Sequence, residues 1–354
     1  MEPMIQENMS TAFWEELQRN WQQNLLRWLT RKNMRKLSLG IDTSNYKTSV
    51  ALTDQSGEIL SNLQQYLTVK KGERGLRQSA ALFQHVQNLP HLLEETFETL
   101  AKLRREEEAE IACISVSEKP RPVDGSYMPC FLAGLSTAKS IAAALGVPCY
   151  TFSHQEGHIE AARWRSPLAE ANRFISFHFS GGTTEALLVS EDGISIVGGS
   201  KDLAFGQVLD RVGVALGMEF PCGQSLDEIA VAAQAADGQV KDNFLPKIKC
   251  EEGYINLSGI ETKCQRSLTE TAPEILIPML FQRISEAICD MSLYLANTYQ
   301  TDSILFAGGV SASSLIRKNL ETKLSKLKIH FGEPVLCTDN AAGIALLGGK
   351  KQWL

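Results

Sequence analysis

No uninterrupted apolar run in this chain approaches the about 18 residues that a membrane-spanning helix needs. The amino terminus also lacks the basic, apolar, small-residue order of a secretory signal. The expected location is therefore the cytoplasm, with no membrane partner. No C-x-x-C pair occurs among the eight cysteines, Cys113, Cys130, Cys149, Cys222, Cys250, Cys264, Cys289 and Cys337, and several sit in apolar runs. They read as buried thiols in a reducing compartment. An excess of basic residues is missing too: the formal net charge of -6 argues against broad electrostatic coating of nucleic acid, while leaving local basic patches open. No Ser-His-Asp nucleophilic arrangement is evident. What remains, 354 residues with 44% hydrophobic and 21% charged, suits two packed domains.

Two imidazoles stand four residues apart in Ser153-His154-Gln155-Glu156-Gly157-His158. On a helix that spacing puts both rings on one face, about one turn apart, so both can aim a nitrogen at one ion. A carboxylate from elsewhere would complete a three-ligand set with positions left open for substrate, the arrangement of a catalytic rather than a structural metal. A zinc-protease helix is not the match. That chemistry needs Glu directly after the first His, and Gln155 holds the place. Alone, the spacing also fits two ordinary polar helix residues.

Residues 1–36 stand apart: Trp14, Leu17, Trp21, Leu25 and Trp28 recur at helical spacing before the basic cluster Arg31–Lys36, which predicts an amphipathic helical extension. It could dock on the body, on a partner or on an anionic surface, and translation from Met34 is a further alternative. From Leu37 the pattern changes. Strands are expected at Leu37–Asp42, Thr48–Thr53 and around Glu58–Leu67, with a helix over Leu76–Leu103, strand Ile111–Val116, helix Leu132–Leu145 and strand Val147–Tyr150. The order then restarts, with strands Phe174–Phe179, Glu185–Val189 and Ile194–Gly198 and helix Gly206–Leu216. An irregular insert near 221–272 comes next, then helix Glu274–Tyr299, strand Ile304–Ala307, helix Ser314–Leu327, strand Lys328–Phe331 and a last helix from Asn340. One plan written twice predicts two α/β lobes with duplicated βββαβαβα units and a cleft between them. The division is a first lobe at 37–152, the His-bearing helix and connection at 153–172, and a second lobe at 173–354.

Each meander carries a small-residue turn, Asp42-Thr43-Ser44-Asn45 in the first and Ser180-Gly181-Gly182-Thr183-Thr184 in the second. A third glycine site, Ala307-Gly308-Gly309-Val310, lies between a strand and a helix start. Backbone N–H groups and hydroxyls in such turns can wrap phosphate, and a helix start favours an anion. Singly each reads as a hairpin turn. Three in register across a duplicated fold point to nucleotide in the cleft, with Asp42, Thr43, Ser44, Gly308 and Gly309 as candidate phosphate loops.

From about Leu37 to its end the chain resembles the tRNA threonylcarbamoyladenosine transferases, once called O-sialoglycoprotein endopeptidases, within the superfamily of actin, heat-shock chaperone ATPases and sugar kinases. The resemblance rests on Leu39-Gly40-Ile41-Asp42-Thr43-Ser44, the His154–His158 motif, Ser180-Gly181-Gly182, Gly206–Asp210, Pro221-Cys222-Gly223, Ser258-Gly259, Ala307–Ala312 and Cys337-Thr338-Asp339-Asn340-Ala341-Ala342, in that order. It implies the two-lobed actin-like ATPase fold. It also implies transfer of an L-threonylcarbamoyl group from threonylcarbamoyl-adenylate to N6 of the adenosine beside the anticodon in tRNAs reading ANN codons. By the same resemblance His154, His158 and Asp339 would hold one divalent ion, iron or zinc. His178, Phe179, Ser180, Gly181, Gly182, Asp210, Gly223 and Ser313 would line the adenylate pocket. Companion proteins of a threonylcarbamoylation complex are implied as partners, and a dimer is left open.

Departures cluster around the ligand positions. Where the family has Cys-Asp-Glu-Thr the chain has Asn45-Tyr46-Lys47-Thr48, and Thr183 replaces a His, Ser313 an Asn and Glu261 a Lys. The family's Gly-Pro-Gly loop is absent from Pro120–Leu135, where Lys119, Arg121 and Asp124 stand instead. Three readings follow: a diverged transferase with the same reaction, a paralogue with a changed carbamoyl donor or acceptor, or a non-catalytic nucleotide-binding partner in a tRNA-modification complex.

Overall fold

The structure is a computed structural model that describes Trp21 and residues 34–44, 46–69, 76–237, 244–333, 335–336 and 341–353. The helix expected before Met34 lies outside these residues apart from Trp21. Arg35 and Lys36, counted above with the extension, instead open the first strand. Arg35 can sit there because acids surround its guanidinium, with Nη2 2.7 Å from Asp54 and Nη1 2.6 Å from Glu107.

The first lobe is built from strands β1 (Arg35–Thr43), β2 (Lys47–Asp54), β3 (Ile59–Tyr66), β4 (Ala109–Lys119) and β5 (Cys149–Ser153), with helices α1 (Gln78–Glu106) and α2 (Phe131–Leu145). Its sheet runs β3-β2-β1-β4-β5, with the meander antiparallel and β4 and β5 parallel to β1. Apolar residues of β1, β2 and β4 such as Leu37, Leu39, Ile41, Val50 and Ile114 are fully buried against Leu89 and Leu92 of α1 and Ala138 of α2.

Helix α3 (His154–Arg163) follows, and the plan repeats with β6 (Phe174–Phe179), β7 (Thr184–Ser190), β8 (Gly193–Ser200), α4 (Phe205–Ala215), α7 (Pro273–Thr298), β10 (Ser303–Ala307), α8 (Ser314–Lys323) and β11 (Lys328–Phe331). The strands β8-β7-β6-β10-β11 reproduce the order of the first sheet, and one short strand, β9 (Tyr254–Ile255), is added outside β8. The core here is aromatic: Phe177 stacks on Phe306 at 5.3 Å, and Phe179 and Phe205 close around them.

Two expectations change. The segment near 221–272 contains helices α5 (Gly223–Asp237) and α6 (Ser258–Ser267). Their buried residues are small or few, Leu226 and Ala230 in α5 and Ile260 and Cys264 in α6, so the apolar period hardly rises above the polar content. The last helix, α9 (Ala342–Trp353), follows the second lobe in sequence but packs on the first sheet, where Gly348 faces Ser115 and Ser38 and the backbone of Ala341 and Ala345 lies against Gly40.

α9 and α3 form the layer between the two sheets. A Cβ on Gly343 would come within 1.9 Å of the carbonyl oxygen of Gly157, so the two helix backbones touch where neither has a side chain. On its other side α3 buries Ile159 and Ala162 against Phe174, Leu187 and Leu305 of the second sheet. The His-bearing helix is thereby clamped from both lobes. Among the described residues no helix is long and apolar enough to cross a membrane. The seven described cysteines are unpaired, and burial pushes the Cys130 and Cys264 thiols up to about 12.

Candidate active site

α3 begins with a reciprocal cap. Ser153 Oγ accepts the Glu156 N–H at 3.2 Å, and Glu156 Oε2 accepts the Ser153 N–H at 2.6 Å, which fixes the first turn and places His154 at its first position. Glu156 is therefore committed to the backbone. The pattern S-x-x-E carries that role in the sequence.

The two imidazoles converge as their spacing requires, with Nε2 of His154 2.9 Å from Nε2 of His158. On its far side His154 meets a carboxylate, Nδ1 lying 3.0 Å from Oδ1 of Asp42. An ionised carboxylate only accepts, so Nδ1 carries the proton and Nε2 of a neutral His154 presents a lone pair toward His158. Asp42 is fully buried, takes a further hydrogen bond from the Ser117 hydroxyl, and its Oδ2 has no hydrogen-bond partner among the described residues. His178 of β6, 8% exposed, packs edge-on against His158 with ring centres 4.4 Å apart.

A carboxylate behind one His and two imidazole nitrogens 2.9 Å apart is the donor chemistry of a divalent-metal site with an outer carboxylate. Two of the three implied ligands thus fit such an ion. The third, Asp339, lies outside the described residues. Among those residues no group of three His, Cys, Asp or Glu side chains is placed to hold a metal.

The second-lobe turn lies at the adjoining strand end. Ser180 N–H donates to Thr183 O at 2.8 Å, and Ser180 Oγ accepts the Thr183 N–H at 3.1 Å, leaving Gly181 and Gly182 exposed. Asp210 of α4 looks onto this turn: a Cβ on Gly181 would lie 4.0 Å from its Oδ2. Its Oδ1 accepts the Cys222 N–H at 2.8 Å. Burial raises the Asp210 carboxyl above the ordinary carboxylate value, and the Cys222 bond only partly offsets it. Gly223 follows as the first residue of α5. Phe179 is a core side chain, so only its backbone faces the turns, and its carbonyl lies so near Gly308 (φ 88°) that a Cβ there would sit 2.3 Å away.

Other residues singled out in the sequence are engaged by the protein itself. Thr43 Oγ1 donates to Cys130 O at 3.1 Å and accepts the Gly134 N–H, so it anchors the start of α2. Ser44 O accepts from His85 Nε2 at 2.8 Å. The start of α8, expected to favour a bound anion, already has one: Asp227 of α5 accepts the Ser314 and Leu315 N–H groups and the Ser313 hydroxyl. Among the described residues nothing lies within 4 Å of the position a Cβ on Gly309 would take. Lys47, 4% exposed, donates to Gln64 and lies 4.4 Å from the centre of the Tyr66 ring. Glu261, in place of a Lys, stands 4.0 Å from Arg211.

Sequence reasoning missed a polar strap between the lobes. Arg121, in the loop after β4, lies 2.5 Å from Glu185 Oε1 on β7, and Gln155 of α3 donates to Glu185 Oε2 at 2.8 Å. Glu185 is also the cross-strand neighbour of His178. Only the charge of Arg121 hinted at it.

The comparisons with known proteins agree with the layout. The family model for tRNA N6-adenosine threonylcarbamoyltransferase matches residues 58–346. Proteins of that name from Dictyoglomus turgidum (strain DSM 6724 / Z-1310) and Bacillus subtilis (strain 168) are 32% and 29% identical, over 88% of this chain in each case and 92% and 89% of the relative. Among solved structures, component A of (R)-2-hydroxyglutaryl-CoA dehydratase from Acidaminococcus fermentans matches at TM-score 0.52 and 17% identity, covering 89% of this chain and 98% of that one. HypF from T. kodakarensis matches at 0.54 and 14%, covering 90% of this chain and 48% of its own. The fold is the two-lobed actin-like ATPase and sugar-kinase fold.

Proposed function

Because the chain belongs to the tRNA N6-adenosine threonylcarbamoyltransferase family of enzymes, we propose that it transfers an L-threonylcarbamoyl group from threonylcarbamoyl-adenylate to N6 of the adenosine beside the anticodon in tRNAs reading ANN codons. The observation that carries this reading is the convergence of His154 and His158 backed by Asp42, with the Ser180–Gly182 turn and Asp210 at the adjoining strand end.

His154, His158 and Asp339 would hold one divalent ion, iron or zinc. When bound, it supplies Lewis acidity toward the donor's carbamoyl and carboxylate oxygens. Asp42 keeps the His154 proton on Nδ1 and so keeps Nε2 available as a donor. The exposed Gly181 and Gly182 backbone lies against the adenylate phosphate, and Asp210 accepts from ribose hydroxyls, with Gly223 closing on the nucleoside. The adenine amine attacks the carbamoyl carbon, a C–N bond forms, the bond from that carbon to the phosphate oxygen breaks with AMP as leaving group, and the proton lost by the amine passes to solvent. A mixed anhydride is already activated, so holding donor and acceptor together supplies much of the rate and no protein nucleophile is needed.

A paralogue with a changed donor or acceptor is the second reading, favoured by Arg121 reaching Glu185 beside the histidines and by Asp227 taking the Ser313 hydroxyl. One experiment separates the readings. Purified protein is incubated with threonylcarbamoyl-adenylate, its companion proteins and unmodified tRNA, beside His154→Ala and His158→Ala. Modified adenosine from the wild type and none from either variant supports the transferase. Metal retained by the wild type with no product supports the changed substrate, and loss of both metal and nucleotide binding supports a non-catalytic partner.

A further inference from the structure

Residues on five strands of the second sheet stand in one row, Ala307, His178, Glu185, Gly199 and Tyr254, each paired with the next. His178 is the ring against His158, and Tyr254 lies three strand spacings from it, about 14 Å. Beside Tyr254 a cavity of about 330 Å³ opens, lined by Lys201, Lys247 and Lys249, with Glu251 as its one acid.

The backbone fixes these cations at the cavity. Lys201 follows β8, its N–H bonded to Ile255 O at 2.9 Å, and its ammonium lies 5.4 Å from the centre of the Tyr254 ring. Lys247 and Lys249 flank the buried Ile248 and are both exposed. Gly259 of α6 forms part of the wall, and Lys263 and Arg266, four and seven residues on, share its helix face and are exposed. The start of α6 is not the source of positive charge: Asp202 already accepts the Leu257 and Ser258 N–H groups at 2.8 and 3.0 Å. In a chain of net charge -6, three lysines line one cavity beside an aromatic ring, and Lys263 and Arg266 stand on the helix that forms part of its wall.

We propose that this lysine-lined cavity and the α6 face beyond it bind the phosphodiester backbone of the RNA acceptor, holding the strand a few nucleotides from the base presented at the His pair. Cations tracking a backbone beside an aromatic platform is the usual composition of a sequence-tolerant nucleic-acid groove. The inference rests on tRNA as the acceptor and goes beyond that reading by naming the surface that touches it.

The test compares binding of unmodified tRNA by the wild type and by the triple variant K201E/K247E/K249E, by fluorescence anisotropy between 50 and 200 mM salt. A control variant, K102E/K139E, carries charge changes of the same kind on exposed lysines of the first lobe. The triple variant is expected to bind tRNA at least about 10-fold more weakly, with a salt slope shallower by about two, since each phosphate contact contributes roughly 0.7 to 0.9. Its AMP binding and circular dichroism should match the wild type, and the control should keep the wild-type slope. A triple variant with wild-type affinity and slope overturns the surface, as does an equal loss in the control, which would mean net charge alone. A wild type that binds AMP but no tRNA overturns the acceptor reading, and this surface with it.

Discussion

Asp42 grips His154 from behind: Oδ1 lies 3.0 Å from Nδ1, and the opposite nitrogen of the same ring faces His158. Outer carboxylates of this kind set the tautomer and basicity of a metal-binding His, and their loss typically weakens metal affinity 10- to 100-fold. Asp42→Asn keeps the shape and removes the charge. It should weaken zinc binding by about that factor in a chelator competition, while His154→Ala and His158→Ala abolish binding. Unchanged affinity in a folded D42N protein would leave Asp42 a purely structural residue.

Asp210 has a different balance, because burial raises its carboxyl above the ordinary value. The folded state therefore holds a proton more readily than the unfolded chain, so ionising Asp210 at neutral pH costs stability and acidification through the raised pKa recovers it. Asp210→Asn still accepts the Cys222 N–H through its amide oxygen. It should melt at a higher temperature at pH 7.5, an advantage that shrinks toward pH 4. AMP affinity should fall about 10-fold or more if the carboxylate accepts from ribose. Calorimetry and nucleotide titration on one preparation check both.

The meanders and the His pair were legible because their periods, two and four, are imposed by local geometry. Less legible was whatever tertiary contact decides. Asp227 lies in a stretch whose small residues hid helix α5, so nothing marked it as the acid that fills the start of α8. The packing of α9 depends on Gly343 against α3 and on Gly348 against the first sheet, and both read in sequence as ordinary small residues. Thr43 and Ser44 read as phosphate-loop residues; the Thr43 hydroxyl bonds at the start of α2 and the Ser44 carbonyl accepts from His85, contacts that only the tertiary fold creates. Asp339 and, apart from Trp21, the Trp-rich amino-terminal stretch lie outside the described residues.

His85 is fully buried and uses both ring nitrogens: Nε2–H donates to Ser44 O at 2.8 Å, so Nδ1 accepts from the Thr48 hydroxyl at 2.8 Å. Burial lowers its pKa below the ordinary 6.5. Below pH 6.5 the unfolded chain takes up a proton that the folded protein refuses, so stability falls as pH drops toward the depressed pKa. The slope approaches about 1.4 kcal/mol per pH unit. Urea unfolding between pH 7.5 and 5 should show this loss, and His85→Phe should reduce the slope. His330, also lowered by burial, retains its own share.

At the contact of α3 with α9 there is no room for a methyl group on Gly343. Gly343→Ala would ordinarily favour a helix. Here the helices must part, so the substitution should destabilise by about 1–3 kcal/mol, the usual cost of overpacking. Because α3 carries both histidines, zinc affinity should fall with it. A stabilised G343A protein in a melting experiment would contradict the backbone contact.

Arg121 and Glu185 join the loop after β4 to the second sheet, with Gln155 between them on the clamped helix. Glu185 is 13% exposed and Arg121 45%, so water screens the pair and its net worth is at most about 1 kcal/mol. That is too little to hold the fold, whose lobes are already joined through α3 and α9, but enough to bias how the loop after β4 rests against the second sheet beside His178. Arg121→Ala should therefore leave the melting temperature within about 2 °C while speeding AMP release up to about fivefold, with the difference from wild type shrinking as salt rises. Glu185→Gln, which keeps one acceptor for Gln155, should give a similar rate. Equal AMP release from R121A, E185Q and wild type in a stopped-flow experiment would show the strap to be incidental to nucleotide exchange.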